Sequence, residues 1–482
     1  MSKTRPMNKR RICSPWLAGL ISVSLISLMS ACMTSGNGDE DEPESATGWS
    51  WQSGSDSAGQ AGVYGTKGTA SSSNIPGARS YHRVWQDASG NIWTFGGHGF
   101  DSRDASGHLN DLWRYNPSTV EWTWMSGSDV TNVAGTYGVQ GTPAPTNAPG
   151  ARDSYATWLG PDGRLWLFGG FGFDSSGMTG DLNDLWRFDP TTREWTWVSG
   201  GEIRGQAGDY GTKGAASPTN SPGARYRAVF WTDSNSHFWL FGGYGKDSSG
   251  ATGDLNDLWE FDPATLEWTW VSGSVTRDQA GIYGTKGTAD PANIPGARDG
   301  AVSWRDSTGK IWILGGEGLD GTGDLGQLSD LWTFEPTTLT WTWVGGNNSI
   351  DQLGVYGTMG TASSSNVPGG RHGACAWIDP NGKLWFFGGE GYGDSSVMGL
   401  LSDLWKFDPS SSQWTWVSGS KTVNTRGTFG PKGKRYLSNA PGGRFHAASW
   451  SGSNGDLWLF GGDGLDVDGA RNYLGDVWNY RR

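Results

Sequence analysis

Positive charge is in short supply along this chain of 482 residues. Lys and Arg number 36 against 48 Asp and Glu, a formal net charge of −12. No basic face is available to displace counterions from phosphates, which excludes a general nucleic-acid binder. Charge of either sign is sparse, at 17% of residues, while aromatics reach 13%, too many for a disordered chain. Cysteine numbers three. Removal of the N-terminal segment described next leaves no pair of thiols for a disulfide, so the fold must rest on packing. What abounds is glycine, 79 residues, more than twice the average of about 7%. Glycine and aromatics together indicate an all-β protein with many tight turns.

The first 48 residues are not fold. Lys3, Arg5, Lys9, Arg10 and Arg11 form a basic head, and an apolar run from Trp16 to Met29 follows. That run is too short to span a bilayer comfortably and has the form of an export signal. Ser30 and Ala31 before Cys32 resemble the bacterial lipobox, with Met29 where leucine is usual. The resemblance implies cleavage after residue 31, acylation of Cys32, and a lipid anchor in the bacterial cell envelope. The same resemblance, with Met33 rather than an aspartate after the cysteine, implies the outer membrane. Cleavage removes five positive charges and no negative ones, taking the formal charge from −12 to −17. Residues 32–48, with Asp39, Glu40, Asp41, Glu42 and Glu44, read as a flexible acidic tether.

From residue 49 to 482 the chain repeats at 73 residues without a slip. Gly-Gly recurs at 96–97, 169–170, 242–243, 315–316, 388–389 and 461–462. "DLW" or "DVW", "PGAR" or "PGGR" and a Trp-x-Trp pair recur in the same phase. Each of the six units holds five tryptophans, which with Trp16 accounts for all 31. A packing residue must recur in every unit, whereas a ligand-stacking residue need not, so the tryptophans are scaffold. In each unit four runs alternate at period two, as in "YATWLG", "RLWLFGG", "DLWRFD" and "EWTWV". Short turn-forming separators join the first to the second and the third to the fourth. Four strands cannot bury both faces alone, so the units must stack, and a closed ring leaves no end exposed.

These units resemble kelch repeats of a β-propeller, on the pattern "LFGG…NDLWRFDPTTREW". Kelch repeats usually run about 50 residues, so the connections here are longer. The chain begins on a fourth strand at Trp49 and Trp51 and stops on a third at "DVWNY". The N-terminal strand is therefore expected to complete the last of six blades. The resemblance implies that the second-to-third and fourth-to-first connections emerge on one face, the top, and both read as long. It also implies two functions: a monomeric module binding a protein or glycan through top-face loops, or a periplasmic carbohydrate-active enzyme, isomerase or oxidase-like, using the channel mouth. Copper oxidases on this fold need a cysteine–tyrosine crosslink with His and Tyr ligands. Here Cys375 stands where other units have Arg83, Ala156, Val229, Val302 and Ala448, a small apolar slot. No oxidase motif and no cofactor are expected.

Arg79, Arg152, Arg225, Arg298, Arg371 and Arg444 begin the innermost strands, and Asp111, Asp184, Asp257, Asp330, Asp403 and Asp476 begin the third. Six-fold identity marks them as structural pairs rather than an anion grip. Positions that differ between units carry more functional information. After Gly-Gly stand His98, Phe171, Tyr244, Glu317, Glu390 and Asp463; after the arginine stand Ser80, Asp153, Tyr226, Asp299, His372 and Phe445. With His82 and His446, the acids and histidines gather in blades 4, 5, 6 and 1, giving the candidate binding set His98, Glu317, Glu390, Asp463, Asp299, His372, His446 and His82. The histidines fall at different depths and facings, so the set reads as polar channel lining, with no metal site and no catalytic cluster. The acidic loops such as 174–184 lack the EF-hand spacing, and ordinary Asp/Ser/Gly turns explain them.

Overall fold

The computed structural model describes residues 44–482; the signal, Cys32 and most of the acidic tether lie outside the described residues. The described residues contain strands and turns and no helix. They form six antiparallel four-stranded units. In the second, Ala156–Leu159 pairs with Leu165–Phe173, which pairs with Thr179–Asp189, which pairs with Glu194–Ser199. Each innermost strand touches the innermost strand of the next unit, and the sixth touches the first, so the ring is closed. Gly48–Ser53 pairs with Val477–Arg481 and supplies the outer strand of the last unit, with Trp49 opposite Tyr480 and Trp51 opposite Trp478. Ser45 N donates to Arg435 O, so attachment to the ring begins before residue 49.

The core lies between units rather than within them. Trp85, Trp93, Phe95 and Leu112 of the first unit pack with Leu165, Leu167, Trp186, Phe188 and Trp195 of the second. The indole N–H of Trp85 crosses the interface to the carbonyl of Trp158 at 3.0 Å, and Trp158 and Trp377 repeat the reach to Trp231 and Trp450. A buried polar network fixes each unit to its loop. Every repeated arginine makes two parallel hydrogen bonds of 2.6–2.9 Å to its aspartate. Both side chains are at most 3% exposed. In the second unit Asp184 also accepts from Tyr137 Oη at 2.6 Å and Trp186 Nε1 at 2.7 Å.

Both expected long connections prove to be structured. In the first four units the second strand does not stop at Gly-Gly, while in the last two it breaks there and resumes. In the second unit it runs through a bulge to Phe173, and the connection is only the five residues 174–178. The glycines make this possible: Gly169 and Gly170 have φ of +64° and +98°, and a Cβ on Gly169 would come 2.8 Å from Leu182 O and 2.9 Å from Arg225 O of the next unit. At the tip, Asp174 Oδ1 accepts from the backbone N–H of Ser176 and Met178, and Oδ2 from that of Arg204. These contacts are turn chemistry. The fourth-to-first connection folds back over the outer strand. Ala70–Ser71 pairs with Glu121–Ser126, and Asn74 Nδ2 donates to Trp122 O at 3.0 Å, a contact repeated in every unit and made to Trp49 O in the last. An edge that would template aggregation is thereby covered.

Candidate functional site

Cross-strand register brings the variable positions together at the top of the ring. The residue after each repeated arginine lies opposite the residue after Gly-Gly, and that residue lies opposite one on the third strand. The six rows are Ser80–His98–His108, Asp153–Phe171–Asp181, Tyr226–Tyr244–Asp254, Asp299–Glu317–Gln327, His372–Glu390–Leu400 and Phe445–Asp463–Tyr473.

One step further along each inner strand, the backbone turns left-handed in all six units. Tyr81, Ser154, Arg227, Gly300, Gly373 and His446 have φ between +49° and +66°. The N–H of each donates to the carbonyl of its counterpart in the preceding unit, from Tyr81 to His446 and so round to Ser154 to Tyr81, at 2.7–3.0 Å. Six hydrogen bonds thus close a ring around the channel throat. Two units meet the left-handed requirement with glycine. The other four hold a side chain there at a cost of about 1–2 kcal/mol each, the kind of local strain that gathers at functional sites.

Arg227 dominates this throat. Its Nη1 lies 3.4 Å from Asp299 Oδ1 of the next unit, its guanidinium sits 5.4 Å over the Tyr81 ring and 5.5 Å over Tyr226, and its Nε has no partner among the described residues. Tyr81 stacks on His446 at 4.3 Å, and His372 Nδ1 shares a 2.8 Å hydrogen bond with Gln327 Oε1. Burial sets the protonation states. Asp254 is pushed up to about 8 by burial and then by Asp299, Asp278 and Glu317, with Arg227 opposing. Asp299 is pushed up to about 6 by burial, with Arg227 opposing and Glu317 adding. At neutral pH Asp254 therefore keeps its proton while Asp299 is mostly ionised. Burial, helped by Arg227, pushes His372 down to about 3, and His446 falls well below its ordinary value for the same reasons. Both imidazoles are neutral. A neutral carboxyl, a carboxylate and a guanidinium are the components of an acid–base site for an anionic substrate.

The structure divides the candidate set. Asp299 and Glu317 are cross-strand partners at this cluster, and His372 and His446 border it. His82 is fully buried against Phe460, out of reach of solvent, and neither ring nitrogen has a partner among the described residues. Glu390 and Asp463 share Arg471, at 3.5 and 2.9 Å. His98 packs on His108, whose Nδ1 lies 3.1 Å from Asp153 Oδ2. Arg227 and Asp254 of the third unit were absent from the expected sector. Arg227 is unique among its counterparts at 73-residue spacing, and Asp254 shares its identity only with Asp181. Neither position flanks a fixed word; the left-handed turn and the third-strand register are what bring them to the throat. At the other end of the third unit, Asp233, His237 and Glu260 could present ligand atoms within 4.8 Å of one another. Asp233 Oδ1, however, already accepts from two backbone N–H groups, and His237 Nδ1 pairs with Glu260 Oε1 at 2.6 Å.

Residues 139–352 and 215–426 match the KLHDC2/KLHL20/DRC7 Kelch-repeats domain. The N-acetylneuraminate epimerase of Escherichia coli O139:H28 (strain E24377A / ETEC) is 28% identical over 190 residues, covering 36% of this chain and 44% of that protein. The protein of the same name from Shigella flexneri serotype 5b (strain 8401) is 27% identical over 263 residues, covering 51% and 58%. The chain spans about half the length of the curated relatives it matches. Among solved structures, "Structure of YjhT" aligns with a TM-score of 0.49 at 16% identity, covering 84% of this chain and 95% of that one.

Proposed function

The chain belongs to the kelch-repeat family, and on that premise we propose that it binds a carboxylate-bearing sugar at the channel mouth and interconverts its epimers there. The observation that carries this reading is Arg227 set 3.4 Å from Asp299, with the buried Asp254 near enough to feel both charges, so that the two carboxyls are pushed to different values of about 6 and about 8. The relatives named N-acetylneuraminate epimerase favour the same substrate class. In this reading Arg227 holds the sugar's carboxylate. Asp254 gives its proton to the ring oxygen as the bond from that oxygen to the anomeric carbon breaks, and Asp299 takes the proton of the anomeric hydroxyl. The open carbonyl form recloses on its other face by the reverse transfers, with no net change in atoms or charge. A module that binds a protein or glycan without turnover would use the same mouth, and it remains the reading if a sugar binds and its exchange rate does not change. Lipid anchoring at Cys32 in the outer membrane is part of the proposal, motivated by residues 1–32.

Exchange NMR on N-acetylneuraminate tests this directly. The protein should accelerate exchange between the two anomers, and Asp254→Asn or Asp299→Asn should each lose about 100-fold or more. The rate should be bell-shaped in pH. It should fall below about 6 as Asp299 gains a proton and above about 8 as Asp254 loses one. An exchange rate that the protein leaves untouched would remove the catalytic reading.

A further inference from the structure

The channel below the throat contains a charge that the scaffold leaves unmatched. A cavity of about 220 Å³ is lined by inner-strand residues of five units. Its lining is mostly small, including Gly300, Gly373, Ser303 and Ser449, and holds no Asp or Glu. Into this lining the first unit contributes Arg83, whose guanidinium lies 5.6 Å over the Phe230 ring. Its Nε is shut off from solvent without a hydrogen-bond partner, and among the described residues no carboxylate pairs with it. Burial pulls its pKa below the ordinary arginine value, with Cys375 and Tyr155 opposing and Arg227 adding to the pull. Both neighbouring imidazoles, His82 and His446, are neutral.

Two comparisons within the molecule give this weight. Each of the six repeated buried arginines has an aspartate in two-point contact, whereas Arg83, part-buried at the channel wall with its Nε shut off from solvent, has none. The scaffold also does not require Arg83, because its counterparts are Ala156, Val229, Val302, Cys375 and Ala448. A charge held partly out of bulk water is costly unless it is paired. Guanidinium is the side chain best suited to take an anion as that pair.

We propose that the central channel is an anion site, in which a small monovalent anion of halide or formate size sits against the Arg83 guanidinium. The anion supplies the negative partner that the lining lacks, and a cavity walled by glycine, alanine and serine leaves room for it. This inference does not rest on sugar turnover at the mouth.

The test compares the folded protein with Arg83→Ala in sodium bromide, sodium formate and sodium gluconate at equal ionic strength, without sugar. Bromide and formate should raise the melting temperature of the wild type above its value in the bulky gluconate. Arg83→Ala should show no such difference and should melt no lower than wild type in gluconate. Bromide-soaked crystals should give an anomalous peak beside Arg83 that the variant lacks. A response to bromide alone would restrict the site to halides, and a response to both would extend it to carboxylates. Equal anion shifts in both proteins, or a bromide-free channel, would overturn the proposal. Should Arg83→Ala not be recovered folded, Arg83→Val places there the residue of the third and fourth units and serves the same comparison.

Discussion

At the scale of single residues, the molecule separates groups that hold it from groups free to act, and the separation is measurable. In the third unit Asp257 accepts from Arg225 Nη1 and Nη2 at 2.6 and 2.7 Å, from Tyr210 Oη at 2.6 Å and from Trp259 Nε1 at 2.7 Å. The sixth unit has Phe429 where the others have tyrosine, so the network tolerates the loss of one neutral donor. Tyr210→Phe should therefore cost about 1 kcal/mol. Asp257→Ala leaves a buried guanidinium uncompensated and should cost about 3–5 kcal/mol. Glu317→Gln, at a partly exposed position that varies between units, should stay within about 0.5 kcal/mol. Denaturant titration of the three variants checks the order, and an Asp257→Ala protein as stable as wild type would mean that the network contributes little.

At the scale of elements, the strands and tight hairpins were legible because alternation at period two and turn residues are local properties. The end of the second strand is not legible in this way. Gly-Gly breaks the alternation and reads as a terminus, whereas in three dimensions Gly169 and Gly170 carry the strand past a close approach of the next unit. The fourth-to-first connection was read as a loop because its contacts, such as Asn147 to Trp195 O, span 48 residues and leave no local pattern. The N-terminal strand was legible from phase alone, and its energetic role can be tested. Trp49 is 3% exposed, with its ring 5.2 Å from Phe387 and from Tyr480. Trp49→Ala should cost about 3–5 kcal/mol, and deletion through Ser53 should expose the edge of Val477–Arg481 and drive aggregation. Melting curves with size-exclusion chromatography would show this, and a Trp49→Ala protein that melts like wild type would deny the strand its closing role.

At the scale of the whole molecule, the ring is fastened at two radii. The outer fastening is Gly48–Ser53 on the last unit, and the inner one is the hydrogen-bonded circle from Tyr81 through His446. The first and last described strands meet in one unit. Cys32→Ser should release the protein into the soluble fraction and abolish palmitate labelling. A variant that stays with membranes, alongside a wild type that takes up no label, would refute the anchor.

The sequence by itself determined the all-β class, the 73-residue repeat, the packing role of the tryptophans and the Arg–Asp pairs. Each of these is either a local periodicity or a word repeated in all units, and repetition is visible without coordinates. Only the tertiary structure decided which unrepeated residues meet. Arg227 reaches Asp299, and Asp254 feels its charge, across a boundary between units, while Arg83 stands unmatched in the channel. Those relations depend on a left-handed turn at the throat and on a ring that places distant units side by side. Their pKa shifts arise from burial, which no spacing along the chain encodes.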